Sequence, residues 1–217
     1  KRLVRSLYSD GKKKQNRINK TKWVGGIVYK KDFNEYEPKC EQEIEDKKAI
    51  VSFIKNNEDC LKRTNLIAHV TSSAFVVNKN MDKILFVHHN IYNSWGWVGG
   101  HNDSNPNLLE VAIKEAIEET GISEVIPFDS EMISLDVIQV ENHIKNGSFV
   151  GDHLHLNATY LLIASEDDEL TVKEDENSDV KWFSINDVMS YVTEERIKAV
   201  YNKIFDRITI IRNNTIQ

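Results

Sequence analysis

The stretch that decides the fold is residues 99–122, which read GGHNDSNPNLLEVAIKEAIEETGI. Residues 108–120 repeat apolar side chains with the period of about 3.6 residues that is typical of an amphipathic helix. Asn107 is a suitable N-terminal cap, Glu110 follows three residues later, and Gly121 comes directly after the expected end. The pattern therefore predicts a helix preceded by a glycine turn.

Three glutamates of this predicted helix lie on one edge. Because each residue advances by about 100° around the helix axis, Glu115, Glu118 and Glu119 fall within an arc of about 100°. Like charges at this spacing repel one another, and a divalent cation would remove that penalty. Carboxylate oxygens select hard cations such as Mg²⁺ or Mn²⁺. Taken alone, three glutamates are more typical of a solvated acidic helix face than of a metal site.

The longer pattern resembles the Nudix box, G-x5-E-x7-R-E-U-x-E-E-x-G-U, in which U is an aliphatic residue. Six positions match at the expected spacing: Gly100, Glu115, Glu118, Glu119, Gly121 and Ile122. The resemblance implies a Nudix hydrolase, which uses water and Mg²⁺ (or Mn²⁺) to split a nucleoside diphosphate linked to another group. A nucleotide-like small molecule is then the expected substrate.

The chain departs from the box at three positions. Pro106 replaces the early glutamate, Lys114 replaces the arginine, and Ala116 takes the aliphatic position. Lysine cannot reproduce the two-pronged contact of arginine with a carboxylate. These changes keep open a second hypothesis, a catalytically impaired nucleotide-binding or regulatory module on the same fold.

The resemblance extends over roughly residues 42–206. HVTSSAFVV, VHHNIYNSW, the GGHxD form of the glycine turn, HLHLNATYLL and EDENSDVKWF are similar to a bacterial subgroup of Nudix proteins. In that subgroup a glycine usually follows the aspartate, whereas this chain has Ser104. The subgroup does not indicate a particular substrate.

The resemblance also implies roles for individual residues. The expected metal ligands are the three box carboxylates and one backbone carbonyl: Glu115, Glu119, Glu118 (directly or through water) and Gly100. The general base is either Glu115 or Glu118, or an acid of the loop 166–179, where Glu174 and Glu176 precede a strand.

Five residues are candidates for substrate binding: His101, Trp95, Lys145, His153 and His155. His101 follows the glycine turn, and Trp95 could stack on a base. His153 and His155 alternate along a predicted strand, so both side chains point to one face. Such a pair could contact phosphate, hold a catalytic loop or bind a transition metal, but no third ligand has the spacing of a zinc site.

The remaining pattern interleaves strands with helices, which predicts an α/β fold. The predicted strands are residues 68–77, 83–88, 132–140, 153–164 and 180–183, and the further helices are 41–56, 185–191 and 193–206. With the resemblance, this gives a Nudix-type α/β/α sandwich around a mixed sheet, with an N-terminal helical extension. We expect a basic, flexible extension at 1–40, a packed helix within 41–66, the Nudix domain at 67–210 and a tail at 211–217.

The charge of the chain is unevenly distributed. The total is −6, but residues 1–31 carry eleven Lys or Arg and one Asp, a net of +10, which leaves −16 for the rest. The acidic balance argues against nucleic acid as a partner, and the absence of a run of about 18 apolar residues argues against a membrane span. Cys40 and Cys60 are expected to be free thiols in the cytoplasm, since the first segment lacks a secretory signal. The resemblance leaves a homodimer open.

Overall fold

A computed structural model describes residues 28–145 and 147–215. The helices are α1 (Val28–Glu35), α2 (Glu41–Asn56), α3 (Leu108–Thr120) and α4 (Glu195–Thr215). The strands are β1 (Ala68–Asn78), β2 (Lys83–His89), β3 (Ser94–Gly96), β4 (Val98–His101), β5 (Val125–Pro127), β6 (Ser134–Val140), β7 (His143–Lys145), β8 (Ser148–Val150), β9 (His153–Ala164) and β10 (Asn177–Ser184). A short 3₁₀ turn occupies Val188–Ser190.

Within the described residues, eight strands form one mixed sheet. Strand β1 is completely buried and lies at its centre, parallel to β9 and antiparallel to β2 and β4. Strand β10 pairs with β2, and β5 and β6 both pair with β9. Strands β7 and β8 form a separate hairpin. The register places His69 beside His155 and Thr71 opposite His101, so that histidines of three strands lie near one another.

Two hydrophobic cores lie on the two faces of this sheet. On one face, α1, α2 and α3 bury side chains such as Phe33, Ile50 and Ala112. On the other face, α4 buries Ile204 and Phe205 against the strands. Because each face of the sheet is covered by helices, the predicted α/β/α sandwich with a mixed sheet and an N-terminal helix is confirmed.

The N-terminal extension is only partly described. Residues 1–27, which carry nine of the eleven basic residues of segment 1–31, lie outside the described residues. Residues 28–35 of the predicted flexible segment 1–40 form helix α1, with Tyr29 and Phe33 buried in the core. This part of the expectation is corrected, because apolar burial holds the segment against the domain.

Most predicted elements have the expected position. The predicted helix at 193–206 continues to Thr215, because Ile208 also packs against the sheet. The predicted helix at 185–191 is only a 3₁₀ turn. Both cysteines are free, and Cys60 is buried. In the parts of the chain that the structure describes, helices are too short or too polar to cross a membrane.

Candidate active site

An open cleft of about 770 Å³ collects nearly all of the residues predicted for the site. Strands β1, β4 and β9, helix α3, the β7–β8 hairpin and the loop before β10 contribute to its walls. The predicted residues that line it are Gly100, His101, Glu115, Glu118, Glu119, Lys145, His153, His155 and Glu176. Trp95 is not among the residues of the cleft.

Glu119 is the most enclosed carboxylate of the cleft, with 1% of its surface exposed. One carboxylate oxygen accepts a 2.8 Å hydrogen bond from the Gly99 N–H, and the other accepts a 2.9 Å bond from the Asn177 amide. Burial raises the pKa of Glu119 to about 7, and the nearby charges of Glu115 and Glu176 add to the effect of burial. A buried acid among like charges is an environment that a bound cation would stabilise.

Glu115 lies directly against the glycine turn. A Cβ atom added to Gly100 would meet the Glu115 carboxyl carbon at 2.6 Å, so no side chain fits between this backbone and the carboxylate. Glycine is therefore needed here for the close approach of backbone and side chain. Carboxylate and backbone oxygens of this kind are the ligands that Mg²⁺ accepts, and the arrangement fits such an ion.

Lys114 occupies the arginine position of the box and contacts two acids of the helix edge. Its ammonium lies 2.7 Å from a Glu118 oxygen and 3.3 Å from a Glu115 oxygen. Glu119 is held instead by hydrogen bonds from the Gly99 N–H and the Asn177 amide. The lysine thus balances one charge of the edge, where an arginine could grip one carboxylate with two parallel bonds.

Glu176 lies across the cleft between two lysines. The Lys173 ammonium lies 2.9 Å from one oxygen of the carboxylate and the Lys145 ammonium 3.4 Å from the other. Burial alone would raise the pKa of Glu176, but the two lysines outweigh it and hold the pKa below its ordinary value. Glu176 is therefore ionised, and both lysines line the cleft beside it.

Four histidines meet at one end of the cleft, and we call them the His cluster: His69, His101, His153 and His155. The ring of His69 lies 4.9–5.0 Å from each of the other three, centroid to centroid. Burial lowers the pKa of His69 and of His155, and lowers that of His101 to about 3, so these rings are neutral. His69 was not predicted from the sequence, because it lies 32 residues before His101 and enters the cluster only through the register of β1.

The aromatic residues differ from the expectation. Trp95 packs edge to face on Phe183, with ring centroids 4.7 Å apart, and the adjacent indole of Trp97 is buried against Tyr201. Trp97 and Tyr201 do line the cleft, together with Tyr92 and with Phe149 of the hairpin, which is 71% exposed. Phe149 was not predicted, because a single aromatic residue in a three-residue strand has no distinctive pattern.

The loop after the glycine turn is held by polar contacts. The Asp103 carboxylate accepts a 2.8 Å hydrogen bond from the Arg63 side chain, and a second contact makes this a paired interaction. Ser104, at the position where the subgroup usually has glycine, has φ of 78°, a conformation that L-residues adopt at a cost. The turn therefore keeps the shape that glycine favours although the residue has changed.

A family model described as the NUDIX domain matches residues 68–207. Among solved structures, a NUDIX-family hydrolase from Clostridium perfringens is 23% identical with a TM-score of 0.44, and the match covers 64% of this chain and 97% of that chain. A C. elegans Ap4A hydrolase is 14% identical with a TM-score of 0.45, with 64% and 97% covered. The E. coli dihydroneopterin triphosphate pyrophosphohydrolase is 12% identical with a TM-score of 0.47, with 64% and 94% covered.

No match is found among the curated proteins. The family match spans well over half of the chain and contains the glycine turn, the acidic edge of α3 and all residues of the cleft except Arg63 and Leu66. The chain belongs to the Nudix family of hydrolases, which act on phosphorus anhydrides.

Proposed function

We propose that the protein is a Mg²⁺-dependent pyrophosphohydrolase that cleaves the diphosphate of a nucleoside diphosphate linked to another group. The observation that carries this proposal is the acidic edge of α3, where Glu115 and Glu119 lie against the glycine turn. Of the three carboxylates on this edge, two contact Lys114, so the edge carries excess negative charge that a divalent cation would balance.

The residues that would hold the ion are Glu115, Glu119, Glu118 and the Gly100 carbonyl. The chemistry that Mg²⁺ supplies when bound is neutralisation of the diphosphate charge and polarisation of its phosphorus–oxygen bonds. Glu119 is kept in place for this role by the Gly99 N–H and the Asn177 amide. The excess acid and the oxygen donors support Mg²⁺ (or Mn²⁺) over a softer ion at this position.

The opposite wall suits the phosphate and the proton transfer. Lys145 and Lys173 would donate hydrogen bonds to phosphate oxygens, and these would compete with Glu176 for the same ammonium groups. When the lysines turn to the phosphate, the Glu176 carboxylate is released and its pKa rises, so that it can accept the proton of the attacking water. Glu115 and Glu118 are less suited to be the base, because both remain paired with Lys114.

The substrate is expected to extend past the glycine turn towards the His cluster. His101, His153 and His155 line this end of the cleft, and their imidazole groups can exchange hydrogen bonds with a polar leaving group. The exposed ring of Phe149, together with Tyr92, offers a surface on which a base could stack. We assign no substrate contact to Trp95, since it packs on Phe183 and does not line the cleft. We assign the reaction to the cytoplasm, with the two free thiols as support.

The test is turnover of a panel of phosphate-linked nucleotides with Mg²⁺, with the products identified. We expect release of a nucleoside monophosphate, and we expect Glu119→Gln to lower kcat at least about a hundred-fold, because it removes a carboxylate that would hold the ion that neutralises the diphosphate. Glu110→Gln is the matched control, since Glu110 is exposed in the first turn of the same helix. Tight nucleotide binding without turnover would favour the binding-module hypothesis that Pro106 and Lys114 leave open.

A further inference from the structure

The His cluster brings together four side chains from three neighbouring strands. His69 lies on β1, His101 on β4, and His153 and His155 on β9. Strand β1 lies between the other two, and the register sets His69 beside His155 and two residues from the partner of His101. One potential ligand atom from each ring lies within 4.8 Å of the others.

Two of these rings are oriented by backbone carbonyls. The Nδ1–H group of His69 donates to the Asn65 carbonyl at 3.0 Å, and that of His153 donates to the Gly151 carbonyl at 2.8 Å. A carbonyl can only accept, so the proton of each ring is on Nδ1 and the lone pair is on Nε2. This is the tautomer and the type of contact that usually holds a metal-ligating histidine.

The Nε2 atom of His69 is a buried polar atom without a partner. His69 is 3% exposed, and its Nε2 atom has no hydrogen-bond partner among the described residues. A buried acceptor left unsatisfied lowers stability, because it has lost its hydrogen bonds to water, so such an atom calls for an explanation. The remaining rings of the cluster face it, and a bound cation would satisfy it.

The spacing and the charge state suit a transition metal. Four nitrogen ligands at about 2.0–2.1 Å from a tetrahedral ion lie about 3.3 Å from one another, and the Nε2 atoms of His153 and His155 are 3.3 Å apart. Burial keeps His69 and His155 neutral, which is the form that binds metal. Two cations, Arg63 and Lys145, act on this end of the cleft, and each is paired with an acid, Arg63 with Asp103 and Lys145 with Glu176, which offsets their repulsion of an ion.

We infer that His69, His101, His153 and His155 form a binding site for a divalent transition-metal ion such as Zn²⁺, separate from the carboxylates of α3. Imidazole nitrogen favours ions of this class, whereas the carboxylates favour Mg²⁺. The ion would lie at the end of the cleft, where it would supply the positive charge that the neutral imidazoles lack. The inference does not rest on the proposed function, because metal binding is measured without substrate.

The experiment is calorimetric titration of Zn²⁺ into the full chain, prepared without a polyhistidine tag and with excess Mg²⁺ present. We expect one Zn²⁺ per chain and an increase in the thermal unfolding midpoint on binding. His153→Ala and His155→Ala should each weaken binding at least about ten-fold. His143→Ala is the control, because His143 lines the cleft but its ring is bonded to the Glu141 carbonyl outside the cluster.

Two further measurements keep the outcomes distinct. Glu119→Gln should retain Zn²⁺ affinity even where turnover is lost, so failure of the hydrolase proposal leaves this result unaffected. On the unmodified chain, the electron paramagnetic resonance spectrum of bound Cu²⁺ should show coupling to imidazole nitrogen, whatever the stability of the histidine variants. Absence of that coupling, unchanged affinity in both histidine variants, or loss of Zn²⁺ binding in Glu119→Gln would overturn the inference.

Discussion

Two clusters of charged side chains in this protein have opposite balances. In the first, which we call the buried network, Glu43 and Asp136 meet Lys203 and Arg207 between α2, β6 and α4. In the second, the acidic edge of α3, Lys114 contacts two of the three glutamates, Glu115 and Glu118. Both contain carboxylates that are almost inaccessible to solvent, so burial alone does not distinguish them.

The difference lies in whether the chain supplies the counter-charge. Glu43 accepts hydrogen bonds from Arg207 at 2.6 Å and from the Lys39 N–H at 2.8 Å, and Asp136 contacts Lys203 at 2.7 Å. Two acids and two bases cancel, and the network needs nothing from outside. With all three glutamates ionised, the acidic edge has two negative charges more than Lys114 can balance. Such an excess is expected where the counter-charge comes from a bound cation and not from a side chain.

The largest expected effect is on the balanced cluster. Arg207→Met leaves the Glu43 carboxylate buried with fewer partners, so we expect the free energy of unfolding to fall by about 3–5 kcal/mol in denaturant titration. Lys198→Met, which removes an exposed pair with Glu195 on the same helix, should cost less than about 1 kcal/mol. Equal losses in the two variants would mean that the buried network is no stronger than a surface pair.

The second effect is the loss of unfolding free energy at low pH. Burial would raise the pKa of Glu43, but the bonds and charges of Arg207, Lys39 and Lys203 outweigh it and lower the pKa from 4.5 to about 2. The folded chain therefore binds this proton less readily than the unfolded chain, and the stability gained is present above pH 4.5 and lost as the pH falls towards 2.

The size of this loss is about 3 kcal/mol, measured as the change in unfolding free energy between those pH values. Glu43→Gln should flatten the dependence, because the titrating group is gone. Glu45→Gln, which removes an exposed acid of the same helix, should leave the slope unchanged. A slope that persists in Glu43→Gln would locate the acid sensitivity elsewhere in the molecule.

The third effect concerns the cleft. If Glu176 takes the proton from water, Glu176→Gln should lower kcat at least about ten-fold and remove the acidic limb of its pH profile. The neighbouring Glu174 is exposed and not part of the cleft, which makes Glu174→Gln the matched control. Normal turnover of Glu176→Gln would remove this residue from the mechanism and return the role to Glu115 or Glu118.

The smallest effect should come from restoring the residue that the box prefers. Lys114→Arg keeps the charge and adds a second parallel hydrogen bond to a carboxylate of the acidic edge, so we expect kcat/KM to rise by only a few-fold. The measurement is steady-state kinetics over a range of Mg²⁺ concentrations. A lower kcat/KM in this variant would show that the lysine suits the edge better than arginine does.

The sequence predicted the acidic edge well because all of its members belong to one helix. The box spacing places Glu115, Glu118 and Glu119 together through the helix period alone, and Gly100 follows from the same motif. The family assignment rests on these local positions, and the family match confirms it. The departure at Lys114 was also visible, although its contacts with two acids were not.

The features that sequence reasoning missed depend on chain segments that are far apart. Asn177 reaches Glu119 across 58 positions, and no local pattern connects them. Phe149 lines the cleft only because the hairpin folds over it. Trp95 was expected at the substrate but packs on Phe183 and does not line the cleft, since strand β3 was itself not predicted and its facing was unknown.

The amino-acid sequence by itself determined the helix of the box, its acidic edge and the α/β family, because these depend on neighbours a few residues apart. The tertiary structure alone decided which distant charges cancel, as Glu43 and Arg207 do across 164 positions, and which remain in excess. It also decided the His cluster, where strand register brings His69 to a pair of histidines that had no third partner in the sequence. The physical reason is that pairing between strands sets side chains on a common face without leaving any periodic trace along the chain.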